Sequence, residues 1–198
     1  MAHLTRSFFA RDTVTVARDL LGRALVHHVD GRRVAGKVVE CEAYAGWDDL
    51  GSHGHRGKTP RTEVMFGPAG VSYIYFIYGN YWLLNVVAKP PDVDYAAAVL
   101  IRALEPLEGF QIMAAHRPGR PTRQWTNGPG RLALALGIGP SLNGLDMTAA
   151  DSPLYFEDGQ PVPDQEIRAG PRVGLNVPEP WKSKPWRFWI ADHPFVSR

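Results

Sequence analysis

Apolar and polar positions along this chain switch between two periods, and the switches mark out its elements. Val14, Ala17, Leu20 and Leu21 recur at helical spacing behind Asp12 and Thr13, either of which can cap a short helix, and Gly22 closes it. Residues 23–29 then read as a strand, Asp30 and Gly31 as a turn, and residues 34–44 as the hairpin partner. Within that partner Val38, Glu40, Glu42 and Tyr44 alternate and are expected on one face. Residues 45–68 break the pattern. They are polar, rich in Gly and His, and too long for a simple connection, which marks them as a binding loop.

The clearest hairpin joins residues 71–78 to residues 81–88. A three-residue turn over Tyr78, Gly79 and Asn80 would pair Ile77 with Tyr81 and Tyr73 with Asn85, bringing Asn85 to the face of Tyr75; a two-residue turn would send it to the other side. Residues 96–104 form an apolar strand that Glu105 and Pro106 should stop, and residues 107–115 should be helical. Pro129 sits well in the first turn of a helix running to about Leu136. Beyond Gly137 the elements shorten, to residues 142–146, 154–157, Ile167, 172–176 and a strand-like 186–190. Hairpins with interspersed helices predict an α+β fold, a single compact domain over residues 1–198 around a mainly antiparallel sheet.

Composition narrows the class. The chain has 198 residues and 44% hydrophobic content, enough for one substantial core. No apolar run approaches the roughly 18 residues of a membrane helix, and no apolar leader supports secretion. Cys41 is the one cysteine, which excludes an internal disulfide, and the 7 His form no close ligand cluster, so a structural zinc is not expected. A net charge of +2 permits a polyanionic partner without requiring one. Basic residues gather at 27–37, 53–61 and 117–131.

Several residue types then suit one chemistry. A glutamate ionised at neutral pH can take a proton from water, and Glu42 is the candidate; Glu40 shares its alternation and stays open on periodicity alone. Tyr44, Tyr73 and Tyr75 can pack in a core or line a site for a planar group. Tyr78, at a hairpin tip, gains little from core packing, whereas a ring stacked on a base is worth about 1–3 kcal/mol. His53, among glycines, can hydrogen-bond a base or phosphate or brace its loop. Arg102, in an apolar strand, needs an anion, with Glu42 or a sugar-phosphate backbone as the obvious partner.

These residues fall in motifs that resemble the alkyladenine (3-methyladenine, or N-methylpurine) DNA glycosylase family. The resemblance lies in Val39 to Gly46, Thr59 to Arg61 with Met65 and Phe66, the hairpin from Tyr73 to Tyr81, and Leu100 to Pro106. It continues in order through Gly128 to Leu132, Pro171 to Gly174 and Lys184 to Trp189, so it spans nearly the whole chain. It implies a curved antiparallel sheet with peripheral helices and a protruding DNA-intercalating hairpin. It also implies a monofunctional enzyme that flips a damaged purine out of duplex DNA and hydrolyses its N-glycosidic bond, leaving an abasic site, with no cofactor or metal. Glu42 would activate the water and Arg102 would position it, the carboxylate or the nucleotide backbone. Tyr44, His53 and Tyr75 would line the base pocket, and Asn85 would guard it against the amino group of normal guanine. Tyr78 would be the wedge.

The sequence departs from that pattern at Asn80, which replaces a larger apolar residue beside the wedge, and at Gly51, which replaces an alanine in animal relatives and would enlarge or loosen the pocket wall. The loop from His53 to Thr59 is one residue shorter, and His55 is an extra polar candidate. The long polar N-terminal extension of animal members is missing, which implies a bacterial, cytoplasmic enzyme; a monomer acting on duplex DNA, with no membrane partner, is expected. A non-catalytic damaged-DNA binding module would explain the basic loops but gives Glu42 no task. A free-nucleoside hydrolase would explain the pocket but not the wedge.

Overall fold

A computed structural model describes residues 2–77 and 79–197. Alternating burial builds one open antiparallel sheet, with peripheral helices completing an α+β fold. In chain order its strands are β1 (Ala24–Val29), β2 (Arg32–Ala45), β3 (Ser72–Ile77), β4 (Tyr81–Val87), β5 (Ala97–Glu108), β6 (Leu154–Glu157), β7 (Ile167–Gly170) and β8 (Arg187–Ile190). The order across the sheet is β3-β4-β5-β2-β1-β6, while β8 pairs with β2 and carries β7. The long strand β2 therefore serves two neighbours on one side. Residues 32–37 pair with β1 and residues 40–42 with β8, while β5 runs along the other side.

Helix α2 (Thr13–Asp19) starts as expected, with the Asp12 carboxylate accepting from the Thr15 N–H at 2.8 Å. A short α1 (Arg6–Phe9) precedes it, and α3 (Phe110–His116) and α4 (Pro129–Ala135) follow β5. Packed with α2 and α4, the central strands bury Cys41, Ala43, Leu84, Val86, Val99 and Ile101 in the main core. On the second face Tyr73 and Ala98 join Met65 and the half-buried Tyr75 in a smaller cluster. That second face holds the candidate site.

Four expectations are corrected. β5 runs through Glu105 and Pro106 to Glu108, because Pro106 falls opposite Gly36 at a register shift where a missing ladder hydrogen bond costs little. The helix expected from residue 107 starts only at Phe110, after Gly109 at φ +77°. Val38 does not share a face with Glu40. The register shift between them makes Val39 the extra residue, so Val38 and Val39 both enter the core and Glu40, Glu42 and Tyr44 turn the other way. Residues 142–146 and 172–176, expected as short elements, form no strand, and Asp146 makes only an isolated bridge with Val71.

Of the two turn lengths left open, the pairing is that of the three-residue turn. Ile77 pairs with Tyr81 and Tyr73 with Asn85, Gly79 takes φ +72°, and the Asn80 N–H donates to the Ile77 carbonyl at 3.3 Å. Tyr78 lies outside the described residues. No described helix is long and apolar enough to cross a membrane.

Candidate active site

Two bulges aim the charged side chains. After Val39 is set aside, Glu40, Glu42 and Tyr44 follow the two-residue period onto the second face of β2. Opposite them, pairing jumps from Glu40 with Ala103 to Cys41 with Ile101, which leaves Arg102 as the unpaired residue of β5. Its guanidinium turns toward both glutamates, Nε at 2.8 Å from Glu40 Oε1 and Nη1 at 3.2 Å from Glu42 Oε1. A cation inside an apolar strand is thereby matched by two anions.

Glu42 is completely buried and held by two hydrogen bonds and an ion pair. The Tyr44 hydroxyl donates to Oε2 at 2.7 Å and the Val173 N–H to Oε1 at 2.6 Å, beside the Arg102 contact. Burial and the neighbouring carboxylate push the Tyr44 phenol well above its ordinary pKa, so it stays a donor. Glu40 is also fully buried, but it answers to Arg102, Arg187 and Ser197. The two carboxylates, equivalent by alternation, thus differ in their surroundings. Glu42 faces the cavity wall, while Glu40 lies in a closed ion-pair network behind it.

In front of Glu42 lies a cavity of about 350 Å³, at the lower end of the range for small-molecule sites. Tyr44, Arg102 and Val173 form the wall between it and the carboxylate, and Gly51, His53, Tyr75 and Asn85 complete the lining that matters here. The structure therefore gathers Tyr44, Gly51, His53, Tyr75, Asn85 and Arg102 around one space, with Glu42 a single side-chain layer behind. Asn80 is exposed in the β3–β4 turn and does not line the cavity.

His53 is carried by a 3-10 turn, His53–Arg56, whose start is capped by the Ser52 hydroxyl accepting from Gly54 N–H at 3.2 Å. Its Nδ1 lies 3.1 Å from the Tyr73 hydroxyl, and its ring meets Tyr75 edge-on with centroids 4.5 Å apart. Burial, then the charges of Arg61 and His55, lower its pKa to about 4, so the imidazole is neutral at pH 7. Burial also raises the Tyr75 phenol. Asn85 donates from Nδ2 to the Tyr73 carbonyl at 3.1 Å, which fixes its amide across the hairpin. The space beside Gly51 is not open. A Cβ there would come within 2.7 Å of Arg172 Nη2 and 2.8 Å of Leu175 Cδ1, so these side chains fill the room the missing methyl leaves.

Sequence reasoning missed the residues that set this wall. Arg172 clasps Asp49 and donates from Nη1 to the Ala43 carbonyl at 3.0 Å, while its guanidinium lies over the Tyr44 ring at 4.6 Å. Arg187 and Ser197 hold Glu40. An aspartate in a polar loop and an arginine near a glycine carry no local signal of such pairing.

Comparison with known proteins agrees with the constellation. Residues 7–194 match the family model described as methylpurine-DNA glycosylase. A Myxococcus xanthus protein, provisionally designated a 3-methyladenine DNA glycosylase, is 44% identical over 198 residues, covering 100% of this chain and 95% of its own length. A Methanocella arvoryzae protein of the same designation is 45% identical over 199 residues, covering 100% and 97%. One from Clostridium acetobutylicum is 42% identical over 203 residues, covering 98% and 97%. A family match across almost every residue, with these identities at full coverage, means that the chain belongs to the methylpurine-DNA glycosylase family.

Proposed function

We propose that this protein is a monofunctional glycosylase, a single domain over residues 1–198 that hydrolyses the N-glycosidic bond of alkylated or otherwise damaged purines in duplex DNA. The observation that carries the reading is Glu42, a buried carboxylate clasped by Tyr44 and Arg102 directly behind an aromatic cavity. A flipped purine enters between Tyr44, His53 and Tyr75, where stacking offsets part of the few kcal/mol, roughly, spent in extruding it.

Glu42 is shielded by the Tyr44 hydroxyl, so the working state requires that hydroxyl to yield. As the base stacks on the Tyr44 ring, the phenol moves off Oε2 and a water takes its place. Glu42 removes a proton from that water as its oxygen bonds to the anomeric carbon. The C–N bond breaks with its electron pair leaving on the base, and an abasic sugar and free purine result. An N3- or N7-alkylated base is already cationic and departs neutral; hypoxanthine needs a proton at N7. The carboxylate also offsets the positive charge that develops on the sugar. Arg102 holds Glu42 in place, and the Asn85 amide stands where a guanine amino group would press. Tyr78 and Asn80, in the turn after β3, fill the gap the flipped nucleotide leaves.

The deciding experiment incubates the protein with duplexes carrying one 3-methyladenine, 7-methylguanine, hypoxanthine or ethenoadenine, with released base and strand breaks assayed separately. Base release from at least one lesion, without strand cleavage before alkali, is expected. Glu42→Gln should abolish release and keep lesion-duplex binding. Release by that variant at the normal rate, or cleavage of free modified nucleosides as efficiently as of duplexes, sinks the reading.

A further inference from the structure

Glu40 is the buried acid that hydrolysis does not use. Its side chain is 0% exposed, yet it is surrounded by donors. Oε1 accepts from Arg102 Nε at 2.8 Å, Arg187 Nε at 2.7 Å and the Ser197 hydroxyl at 2.8 Å, and Oε2 accepts from the Ser197 N–H at 2.7 Å. Burying a carboxylate costs several kcal/mol, roughly, before partners are counted, so a purely scaffolding role is a poor use of this position.

The network leads to the reacting group. Arg102 donates from Nε to Glu40 and from Nη2 to the Ser197 hydroxyl at 3.1 Å, and its Nη1 forms an ion pair with Glu42 at 3.2 Å. A guanidinium is a rigid planar fork, so holding Nε and Nη2 fixes where Nη1 points. The Ser197 hydroxyl supplies the second of those two holds, because it donates to Glu40 while accepting from Arg102. Ser197 and Arg102 also line a second cavity of about 290 Å³, which shares Ile77, Leu83, Arg102 and Pro129 with the base cavity. The hydroxyl therefore works at the wall of the site.

We propose that Ser197 and Glu40 are positioning residues for base excision, fixing the plane of the Arg102 guanidinium and through it the reactive orientation of Glu42. The inference rests on the reading of Glu42 as the base that activates water. Glu40 and Ser197 touch neither DNA nor water in this scheme and act only through Arg102.

The test is single-turnover release of hypoxanthine from a duplex, with affinity measured on a duplex carrying a tetrahydrofuran abasic analogue. Ser197→Ala should lower the rate constant about tenfold, the scale of one charge-assisted hydrogen bond, with affinity for the analogue unchanged. Ser197→Thr, which keeps the hydroxyl, should restore the rate. Added to Arg102→Ala, Ser197→Ala should cost nothing more. Glu40→Gln should lose at least as much rate as Ser197→Ala; should it fail to fold, the serine variants still decide. A normal rate in Ser197→Ala, no rescue by threonine, or an additive loss with Arg102→Ala overturns the proposal. Base release that survives Glu42→Gln overturns the underlying function instead, whatever Ser197 does.

Discussion

Asp49 and Arg172 form a bidentate ion pair with neither side chain exposed, Nη1 at 2.7 Å from Oδ2 and Nη2 at 2.7 Å from Oδ1. The pair fastens the loop after β2 to the segment whose Val173 N–H reaches Glu42. Asp49 also accepts from the Ala45 and Gly51 N–H groups, so one carboxylate orders the loop and the wall together.

Removing one partner strands the other in a dry site. Asp49→Ala should therefore lower unfolding free energy by about 3–5 kcal/mol. Urea unfolding of the two proteins at pH 7 measures it. A loss below about 1 kcal/mol would mean that water reaches Arg172, contrary to its full burial.

Tyr44 separates two roles, because its hydroxyl holds Glu42 and its ring faces the cavity. Tyr44→Phe leaves Oε2 with one donor fewer in a buried site and should cost about 1–3 kcal/mol of stability. If the hydroxyl leaves Oε2 during catalysis, lesion-duplex affinity should hardly change in that variant. Tyr44→Ala removes the stacking ring as well and should weaken lesion-duplex binding by about 1–3 kcal/mol. Equal affinities for the two variants would remove Tyr44 from the base-stacking role.

What the sequence disclosed here follows the range of the interactions. The β3–β4 hairpin was legible from its flanking apolar runs, but its register was narrowed only to two turn lengths, and the pairing of Ile77 with Tyr81 selects the longer, with Gly79 at positive φ. The face carrying Glu42 and Tyr44 was legible from alternation, but Val38 was not, since a bulge at Val39 inserts a residue without any compositional mark. The difference between the surroundings of Glu40 and Glu42 was not legible, because it depends on Arg187 and Ser197, which meet Glu40 from 147 and 157 residues away. Asp49 and Arg172 lie 123 residues apart, and nothing local announces that they meet. Gly51 looked like added room until the structure placed Arg172 and Leu175 in it.

His53 gives the fold a calculable acid sensitivity. Burial, with Arg61 and His55 nearby, holds its pKa at about 4 against 6.5 for an ordinary imidazole. Between those values the unfolded chain binds a proton that the folded chain refuses, so stability falls as pH drops from 6.5 toward 4. His53→Gln should flatten that fall. His27, also lowered chiefly by burial, should leave a residual slope. Urea midpoints at pH 7 and pH 5 for both proteins test this, and an unchanged slope in the variant would mean that His53 protonates freely in the fold.

Arg117, Arg120 and Arg131 are the best placed to carry the salt dependence of DNA binding. Arg117 leans on the Gln124 carbonyl at 3.1 Å and Arg131 on the Asn127 side chain at 2.8 Å; among the described residues neither is salt-bridged to a carboxylate. Burial, followed by the charges of Arg131 and Arg120, lowers the Arg117 pKa, so these like charges raise one another's energy until an anion arrives. Arg131 also lines the cavity beside the base site. Each contact to a duplex phosphate contributes about 0.9 to the slope of log affinity against log salt. Replacing Arg117 and Arg131 by alanine should reduce that slope by roughly 2 if each neutralises one phosphate. The loss should be the same for lesion-containing and undamaged duplexes, since phosphate contacts carry no lesion information. A double variant with the original slope would place the DNA backbone on another face of the molecule.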